Sequence, residues 1–221
     1  MDFELAKERV YNVVCELIVE AGFGDFLFSE YRMGSDMFDW RRKYKEELAD
    51  FAEEYHLFYS NGMTKFVIGF PDLGVVCKVP FKRNREGFDK DFCALEAENY
   101  ERAIEAGIES YFARCESAFE INGVQFYLQE YVPECDAKIT AERFVEVLPD
   151  EAQDYGIIDE SGELYMDIDE DAMEMLFEAE WGFDATCEVI GFVRDHDIND
   201  LHSGNVGFTE RGLVIVDYSG Y

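Results

Sequence analysis

The chain has 221 residues, of which 48% are hydrophobic and 16% aromatic, which is enough apolar material for one large domain or two small lobes. Its 50 acidic residues against 19 lysines and arginines give a formal net charge of −31, which repels nucleic-acid backbones and anionic membrane surfaces. We therefore expect a folded protein with neither nucleic acid nor a membrane as a partner, in which an anionic ligand needs a local cluster of cations.

The N-terminal quarter of the chain is predicted to be helical. Apolar residues recur at helical spacing through residues 2–21, and the pattern stops at Gly22. Residues 36–56 carry a second, strongly charged helical pattern. We therefore predict a helical extension over residues 1–56.

From residue 57 the periodicity changes to that of short strands. Aromatic and β-branched runs are separated by the turn sequences Asn61-Gly62 and Pro71-Asp72-Leu73-Gly74. After a helical pattern, Asn122-Gly123 gives the strongest hairpin signal in the chain. The middle of the chain is thus predicted as β-β-β-α-β-β, with strands over 57–60, 65–70, 74–80, 118–121 and 124–132 and the helix over 89–106.

The last third of the chain is predicted to be mainly helical. Helices are expected over residues 140–148 and about 171–196, with a very acidic loop or hairpin over 150–171. Two short strands, 206–208 and 213–217, then close the chain around a turn. The expected fold class is α+β.

The cysteines and histidines show no pattern of a metal or nucleophile site. The six cysteines are scattered without a C-x-x-C pair, mostly in apolar runs, so we expect reduced, buried thiols. His56, His196 and His202 have no partner at zinc-ligand spacing, which disfavours a zinc or cysteine-hydrolase site. The N-terminus lacks a basic region before an apolar run, and we expect a cytoplasmic protein.

Two segments near the C-terminus have the composition of a phosphoryl-transfer site. Asp200-Leu201-His202-Ser203-Gly204-Asn205 gathers carboxylate, hydroxyl and amide groups in six residues, although a surface turn would explain this segment alone. The apolar run Leu213–Val216 ends in Asp217. Phosphoryl transfer needs a carboxylate base, hard oxygen ligands for a metal and a cation on the phosphates, because its catalysis is mainly positioning and electrostatic stabilisation.

Together these segments resemble the catalytic loop and metal-binding motif of protein kinases, in the version seen in aminoglycoside kinases, choline kinases and atypical protein kinases. The resemblance implies ATP and Mg²⁺ (or Mn²⁺) as cofactors, Asp200 as catalytic base, and Asn205 and Asp217 as metal ligands. It covers about residues 57–221 and implies a two-lobed fold, with a small antiparallel sheet lobe over 57–132 and a reduced, mainly helical lobe over 133–221.

The resemblance extends upstream to a strand lysine. Val75-Val76-Cys77-Lys78-Val79 resembles the strand whose lysine holds the α- and β-phosphates of ATP, although a lone strand lysine is more often solvated. Its carboxylate partner is expected on the following helix. Glu96 shares a mainly apolar helical face, so we select it, and Glu98 remains the alternative.

The resemblance also implies contacts to the rest of the nucleotide. Glu130 to Val132 would pair their backbone groups with adenine at the hinge. Ser60, Asn61 and Gly62 would form the phosphate loop, which has one glycine where G-x-G-x-x-G is usual. Ile198 replaces the histidine of many catalytic loops.

Three functions stay open at this point. The residues favour an ATP–Mg phosphotransferase that acts on an unidentified hydroxyl acceptor, either a protein or a small molecule. The chain ends at Tyr221, directly after the metal motif and without later C-lobe helices, which favours a nucleotide-binding pseudokinase. The charge of −31 would suit an acidic interaction protein that occupies a basic cleft on a partner.

Overall fold

The structure is a computed structural model that describes residues 2–30, 32–82, 91–159, 161–166, 168–198 and 201–219. It contains two compact units, one formed by Met1–Ala97 with Cys115–Tyr131 and the other by Glu98–Arg114 with Val132–Tyr221. The protein is a mixed α+β protein with a small antiparallel sheet, as the sequence predicts.

The first unit opens with helices α1 Phe3–Glu20, α2 Phe23–Leu27, α3 Gly34–Lys43 and α4 Lys45–Glu54. The single helix expected over residues 36–56 is wrong, because the chain leaves helical geometry at Tyr44, with φ −110° and ψ 35°. The Tyr44 hydroxyl donates to Asp25 at 2.9 Å, and its ring fills the space beside Gly22. A tertiary contact thus interrupts a pattern that is helical on both sides.

The sheet of the first unit has the strand order β1-β2-β3-β5-β4, and all neighbouring strands are antiparallel. Its strands are β1 Phe58–Asn61, β2 Lys65–Phe70, β3 Val75–Pro80, β4 Cys115–Ile121 and β5 Val124–Glu130. Helix α5, Phe92–Ala106, lies between β3 and β4 in the chain. The predicted β-β-β-α-β-β succession is therefore present, although β4 begins at Cys115 rather than at Ala118. A register shift between Ser117 and Phe119 breaks the alternation there and hides the start of the strand.

One face of this sheet forms the core of the first unit with the N-terminal helices. Side chains alternate along a strand, so every second residue of β2 and β3 enters this core. Those residues are Phe66, Ile68, Phe70, Val75, Cys77 and Val79. Lys65 and Lys78 occupy the intervening positions and therefore project from the opposite face.

The second unit contains α6 Ala137–Val147, α7 Glu151–Asp154, α8 Glu170–Trp181 and α9 Phe183–Asp195, and it ends in the hairpin of β6 Val206–Thr209 and β7 Gly212–Ile215. The single helix expected over 171–196 is wrong. Gly182 separates two helices with φ 84° and ψ 160°, a conformation that favours glycine. In the acidic stretch, α7 was not predicted, whereas a bridge between Ile158 and Leu164 agrees with the hairpin.

The cysteines are free thiols in differing environments. Cys77, Cys93 and Cys115 are buried as expected, and burial raises the pKa of each thiol. Cys187 is exposed, so the expectation of burial fails for it. None of the helices in the described ranges combines the length and apolar character that a bilayer crossing requires.

Candidate functional site

Lys78 and Glu96 form a buried ion pair in the first unit. Lys78 lies on β3 and is 4% exposed, and its Nζ donates to Oε2 of Glu96 at 2.6 Å. Glu96 lies on α5 and is fully buried. Glu98 instead has a 55% exposed side chain and pairs with Arg102 at 3.5 Å. The structure therefore brings the predicted lysine together with Glu96.

Lys65 is a second lysine on the same carboxylate. It begins β2, is 4% exposed, and donates from Nζ to Oε1 of Glu96. Two ammonium groups thus share one buried carboxyl group. Sequence reasoning missed Lys65 because it directly follows a turn and resembles a surface lysine. The pairing of Val67 with Lys78 across the β2–β3 hairpin is the signal that would have placed Lys65 on the site face.

Asp91 fixes the start of the helix that carries Glu96. Its Oδ1 accepts from the backbone N–H groups of Cys93 and Ala94, each at 2.9 Å, which is helix capping. Its Oδ2 accepts from the Tyr127 hydroxyl at 2.8 Å. Burial raises the pKa of Tyr127, and the bond to Asp91 raises it further. Tyr127 on β5 pairs with Lys78 on β3, so this contact holds the start of α5 beside the strand that carries Lys78.

Arg32 is buried in the first unit with unused donors. It is 6% exposed, and its Nε and Nη1 have no hydrogen-bond partner in the part of the chain that the structure describes. Its backbone N–H donates to the carbonyl of Lys82 at 3.3 Å, just after β3. Burial lowers the pKa of Arg32, and the charge of Asp91 opposes that shift. Periodicity provides no signal for Arg32, which lies outside a regular element.

The proposed phosphate loop lies in the turn between β1 and β2. Ser60 and Asn61 are the last residues of β1, and Gly62 stands in the turn, where its N–H donates to the Lys65 carbonyl at 3.1 Å. The Asn61 side chain accepts from Arg41 at 3.4 Å. The turn that carries the predicted loop residues is therefore joined to the strand that carries Lys65.

The proposed hinge residues follow the end of β5. Glu130 is the last residue of that strand and the Cα partner of Val75. The N–H of Tyr131 donates to the Gly74 carbonyl at 2.9 Å, so the sheet already uses this amide. Val132 belongs to the second unit, where it is buried with Ala113 and Val214.

The predicted metal ligands lie on the terminal hairpin of the second unit. Asn205 directly precedes β6, and Asp217 lies two residues after β7. The N–H of Val216 donates to the Asn205 carbonyl at 2.8 Å, which extends the ladder of the hairpin. This bond pairs Asn205 with Val216, the residue before Asp217. Asp200, the predicted catalytic base, lies outside the described residues.

The loop before this hairpin is fixed by hydrogen bonds to its backbone and to Ser203. The buried hydroxyl of Thr140 donates to the Ser203 carbonyl at 2.9 Å, and the Ser203 hydroxyl donates to the Met166 carbonyl at 2.6 Å. His202 is exposed, and its Nδ1 accepts from the Gly204 N–H at 3.0 Å. These bonds give a polar loop a defined conformation.

Tyr218 anchors the residue next to Asp217. It is fully buried, and its hydroxyl donates to the Ala113 carbonyl at 2.6 Å. Its own carbonyl accepts from the Asn99 amide at 2.8 Å. Asp217 itself accepts from the Ser219 hydroxyl at 3.1 Å. The sequence placed Tyr218 in the metal motif but did not reveal this anchoring role.

The oxygen ligands of Asn205 and Asp217 on the terminal hairpin suit a metal ion that is bound together with phosphate. Within the described ranges, no three or more His, Cys, Asp or Glu side chains are grouped to hold a metal ion. Asn205 and Asp217 instead offer one amide and one carboxylate oxygen donor. Magnesium commonly takes only one or two carboxylates from a protein and completes its shell with substrate phosphates and water. The pair fits that mode of binding and does not fit an all-protein cage.

Comparison with known proteins gives no family for this chain. No protein-family model matches it, and no curated protein or solved structure is significantly similar to it. Its function has therefore to be inferred from its own side chains.

Proposed function

We propose that this protein is an ATP–Mg-dependent phosphotransferase with a two-lobed, protein-kinase-like fold, which transfers the γ-phosphate of ATP to an unidentified hydroxyl acceptor. The observation that carries the proposal is the buried pair of Lys78 and Glu96, at 2.6 Å. A lysine and a carboxylate in this arrangement are what the kinase resemblance implies. In a chain of net charge −31, a buried and fixed lysine is a group that can attract phosphate.

Glu96 would orient Lys78 before the nucleotide arrives. A free lysine side chain carries about 2 kcal/mol of rotamer entropy, and a fixed one has already lost it. Burial also lowers the local dielectric, which strengthens the attraction between the ammonium group and a phosphate oxygen. Lys78 would thus hold the α- and β-phosphates.

Asn205 and Asp217 would hold Mg²⁺ from the second unit. The ion, when bound, neutralises charge on the phosphate oxygens. The fixed backbone around Tyr218 would keep the Asp217 carboxylate in place, and the hairpin register would keep Asn205 beside it. These contacts support a site that is formed before ligand binds.

Asp200 would act on the acceptor. In the transfer, the acceptor oxygen bonds to the γ-phosphorus, the bond from that phosphorus to the β,γ-bridging oxygen breaks, and ADP leaves. Asp200 would orient the acceptor hydroxyl and take its proton. The bonds of Thr140 and Ser203 would hold the loop that follows Asp200.

Thermal unfolding with nucleotide and metal tests the proposal. ATP with Mg²⁺ or Mn²⁺ at one hundred times its Kd stabilises a protein by about 2.7 kcal/mol, which raises Tm by roughly 5–11 °C at this chain length. We expect that rise, and we expect Asp217→Asn to reduce it. No rise with either metal would contradict nucleotide binding and favour an acidic interaction protein. A metal-dependent rise without transfer to any acceptor would favour a pseudokinase.

A further inference from the structure

The buried guanidinium of Arg32 is an energetic problem in the protein alone. Arginine stays charged at all ordinary pH values and has five N–H donors. Two of its donor nitrogens, Nε and Nη1, have no hydrogen-bond partner in the described part of the chain, and the residue is 6% exposed. Burying an uncompensated charge costs several kcal/mol. A bound anion that accepts from these N–H groups would remove much of that cost.

Lys65 adds a second cation near Lys78. Both ammonium groups donate to Glu96, Lys65 to Oε1 and Lys78 to Oε2. They therefore lie on the same carboxyl group, within a few ångströms of each other. A phosphate chain that reaches Lys78 can also reach Lys65 with a neighbouring phosphate.

Arg32 is joined to the same end of the β2–β3 hairpin. The backbone N–H of Arg32 donates to the carbonyl of Lys82. Lys82 lies two residues after Pro80, which pairs with Lys65 across β2 and β3. Burial lowers the pKa of Arg32 and the charge of Asp91 opposes that shift. Asp91 in turn bonds to Tyr127, which pairs with Lys78 across β3 and β5.

Asp91 does not serve as the missing partner of Arg32. Its charge opposes the lowering of the Arg32 pKa by burial. Its two oxygens accept from the backbone N–H groups of Cys93 and Ala94 and from the Tyr127 hydroxyl. The unused donors of Arg32 are thus left for another acceptor.

We propose that Arg32, Lys65 and Lys78 together bind adjacent phosphate groups of one ligand, so that the first unit recognises a chain of at least two linked phosphates. The guanidinium of Arg32 suits phosphate oxygens as a charged donor, and each lysine acts as a point charge on a neighbouring phosphate. The inference rests on the proposed function through Lys78. Phosphate binding at these three side chains requires no catalytic base, metal ion or phosphoryl acceptor.

The test measures binding of inorganic tripolyphosphate to the full chain by calorimetry, without metal and at fixed ionic strength. We expect tripolyphosphate and ATP to bind at least about tenfold more tightly than orthophosphate and AMP. Tripolyphosphate and ATP both carry three linked phosphates. Comparing the Kd of tripolyphosphate with the Kd of ATP therefore shows whether the site prefers an inorganic polyphosphate or a nucleotide. Arg32→Met and Lys65→Met should each weaken tripolyphosphate binding roughly ten- to hundredfold, because each removes a charge-assisted hydrogen bond. Arg42→Met and Lys43→Met, which change exposed side chains of the same unit, should leave it unchanged.

Folding of the variants is checked by their Tm without ligand. Arg32→Met should unfold at the same temperature as the wild type or higher, because it removes an unpaired buried charge. Lys65→Arg keeps a cation and should retain tripolyphosphate binding. A loss of binding in folded Arg32→Met, with retention in Lys65→Arg, would support a ligand role over a structural one.

The outcomes separate this site from the proposed function. Tripolyphosphate binding that is unchanged in folded Arg32→Met and Lys65→Met would overturn the inference, even if ATP–Mg is turned over. Absence of tripolyphosphate binding to the wild type would also overturn it. Binding that depends on Arg32 and Lys65, without phosphoryl transfer to any acceptor, would leave this site standing and remove the enzymatic function.

Discussion

Replacing Glu96 by glutamine removes the charge that two buried lysines share. Lys65 and Lys78 are each 4% exposed, and Glu96 is fully buried. Glutamine has nearly the same shape as glutamate, but it is neutral. Its amide NH2 group and the lysine ammonium group are both hydrogen-bond donors, so they cannot bond to each other. Glu96→Gln therefore tests the pair with little change in packing volume.

The expected loss of stability follows from the burial of Glu96. Removing one partner of a buried ion pair costs about 3–5 kcal/mol. In a protein of this length each kcal/mol shifts Tm by roughly 2–4 °C, so Tm should fall by roughly 6–20 °C. Glu98→Gln is the matched control on the same helix, since its side chain is 55% exposed and its pair with Arg102 spans 3.5 Å. An exposed pair of this kind contributes about 0.3–0.5 kcal/mol, so the control should shift Tm by about 2 °C at most.

Differential scanning calorimetry of the two variants makes the comparison. A large loss for Glu96→Gln with a small one for Glu98→Gln would support the buried pair. Equal Tm shifts, or a larger Tm shift for Glu98→Gln, would refute the buried pair of Lys78 and Glu96. Glu98 would then be the better candidate for the partner of Lys78.

Three further predictions concern the strand lysine, the loop and the thiols. Lys78→Met should weaken the Tm rise with ATP–Mg while the fold survives, because Lys65 still pairs with Glu96; an unchanged rise would count against Lys78 as a phosphate ligand. Thr140→Val should cost about 1–3 kcal/mol in calorimetry, because the buried Ser203 carbonyl loses a donor, and no loss would mean that this bond is dispensable. A thiol reagent at pH 8, read by mass spectrometry, should modify Cys187 in the native protein but not Cys77, Cys93 or Cys115, because burial raises the pKa of these three thiols. Modification of any of these three before unfolding would contradict their burial.

The Lys78–Glu96 pair was predictable because each residue lies on a regular element. Alternation along β3 gives the face of Lys78, and the 3.6-residue period of α5 gives the face of Glu96. Lys65 needed the register of the β2–β3 hairpin as well. Arg32 could not be found from periodicity, since it lies outside a regular element and its backbone bond to Lys82 depends on the tertiary fold.

The errors in the helices have local causes that periodicity does not contain. Residues on both sides of Tyr44 follow a helical pattern, but the Tyr44 hydroxyl bonds to Asp25 and the backbone turns there. Gly182 interrupts a second long pattern, because glycine readily adopts a positive φ that other residues avoid. Tertiary contacts and single backbone conformations thus decide where these helices end.

Phosphoryl transfer from radiolabelled ATP is the most direct test of the proposed function. Wild type, Asp200→Asn and Asp217→Asn are incubated with ATP, Mg²⁺ or Mn²⁺ and a broad panel of hydroxyl acceptors, and ATP binding is measured alongside. We predict metal-dependent transfer by the wild type, and a reduction of both metal-dependent binding and transfer in Asp217→Asn. In Asp200→Asn we predict nearly intact binding with transfer lowered by orders of magnitude. Metal-dependent ATP binding by the wild type without transfer to any acceptor would contradict the phosphotransferase.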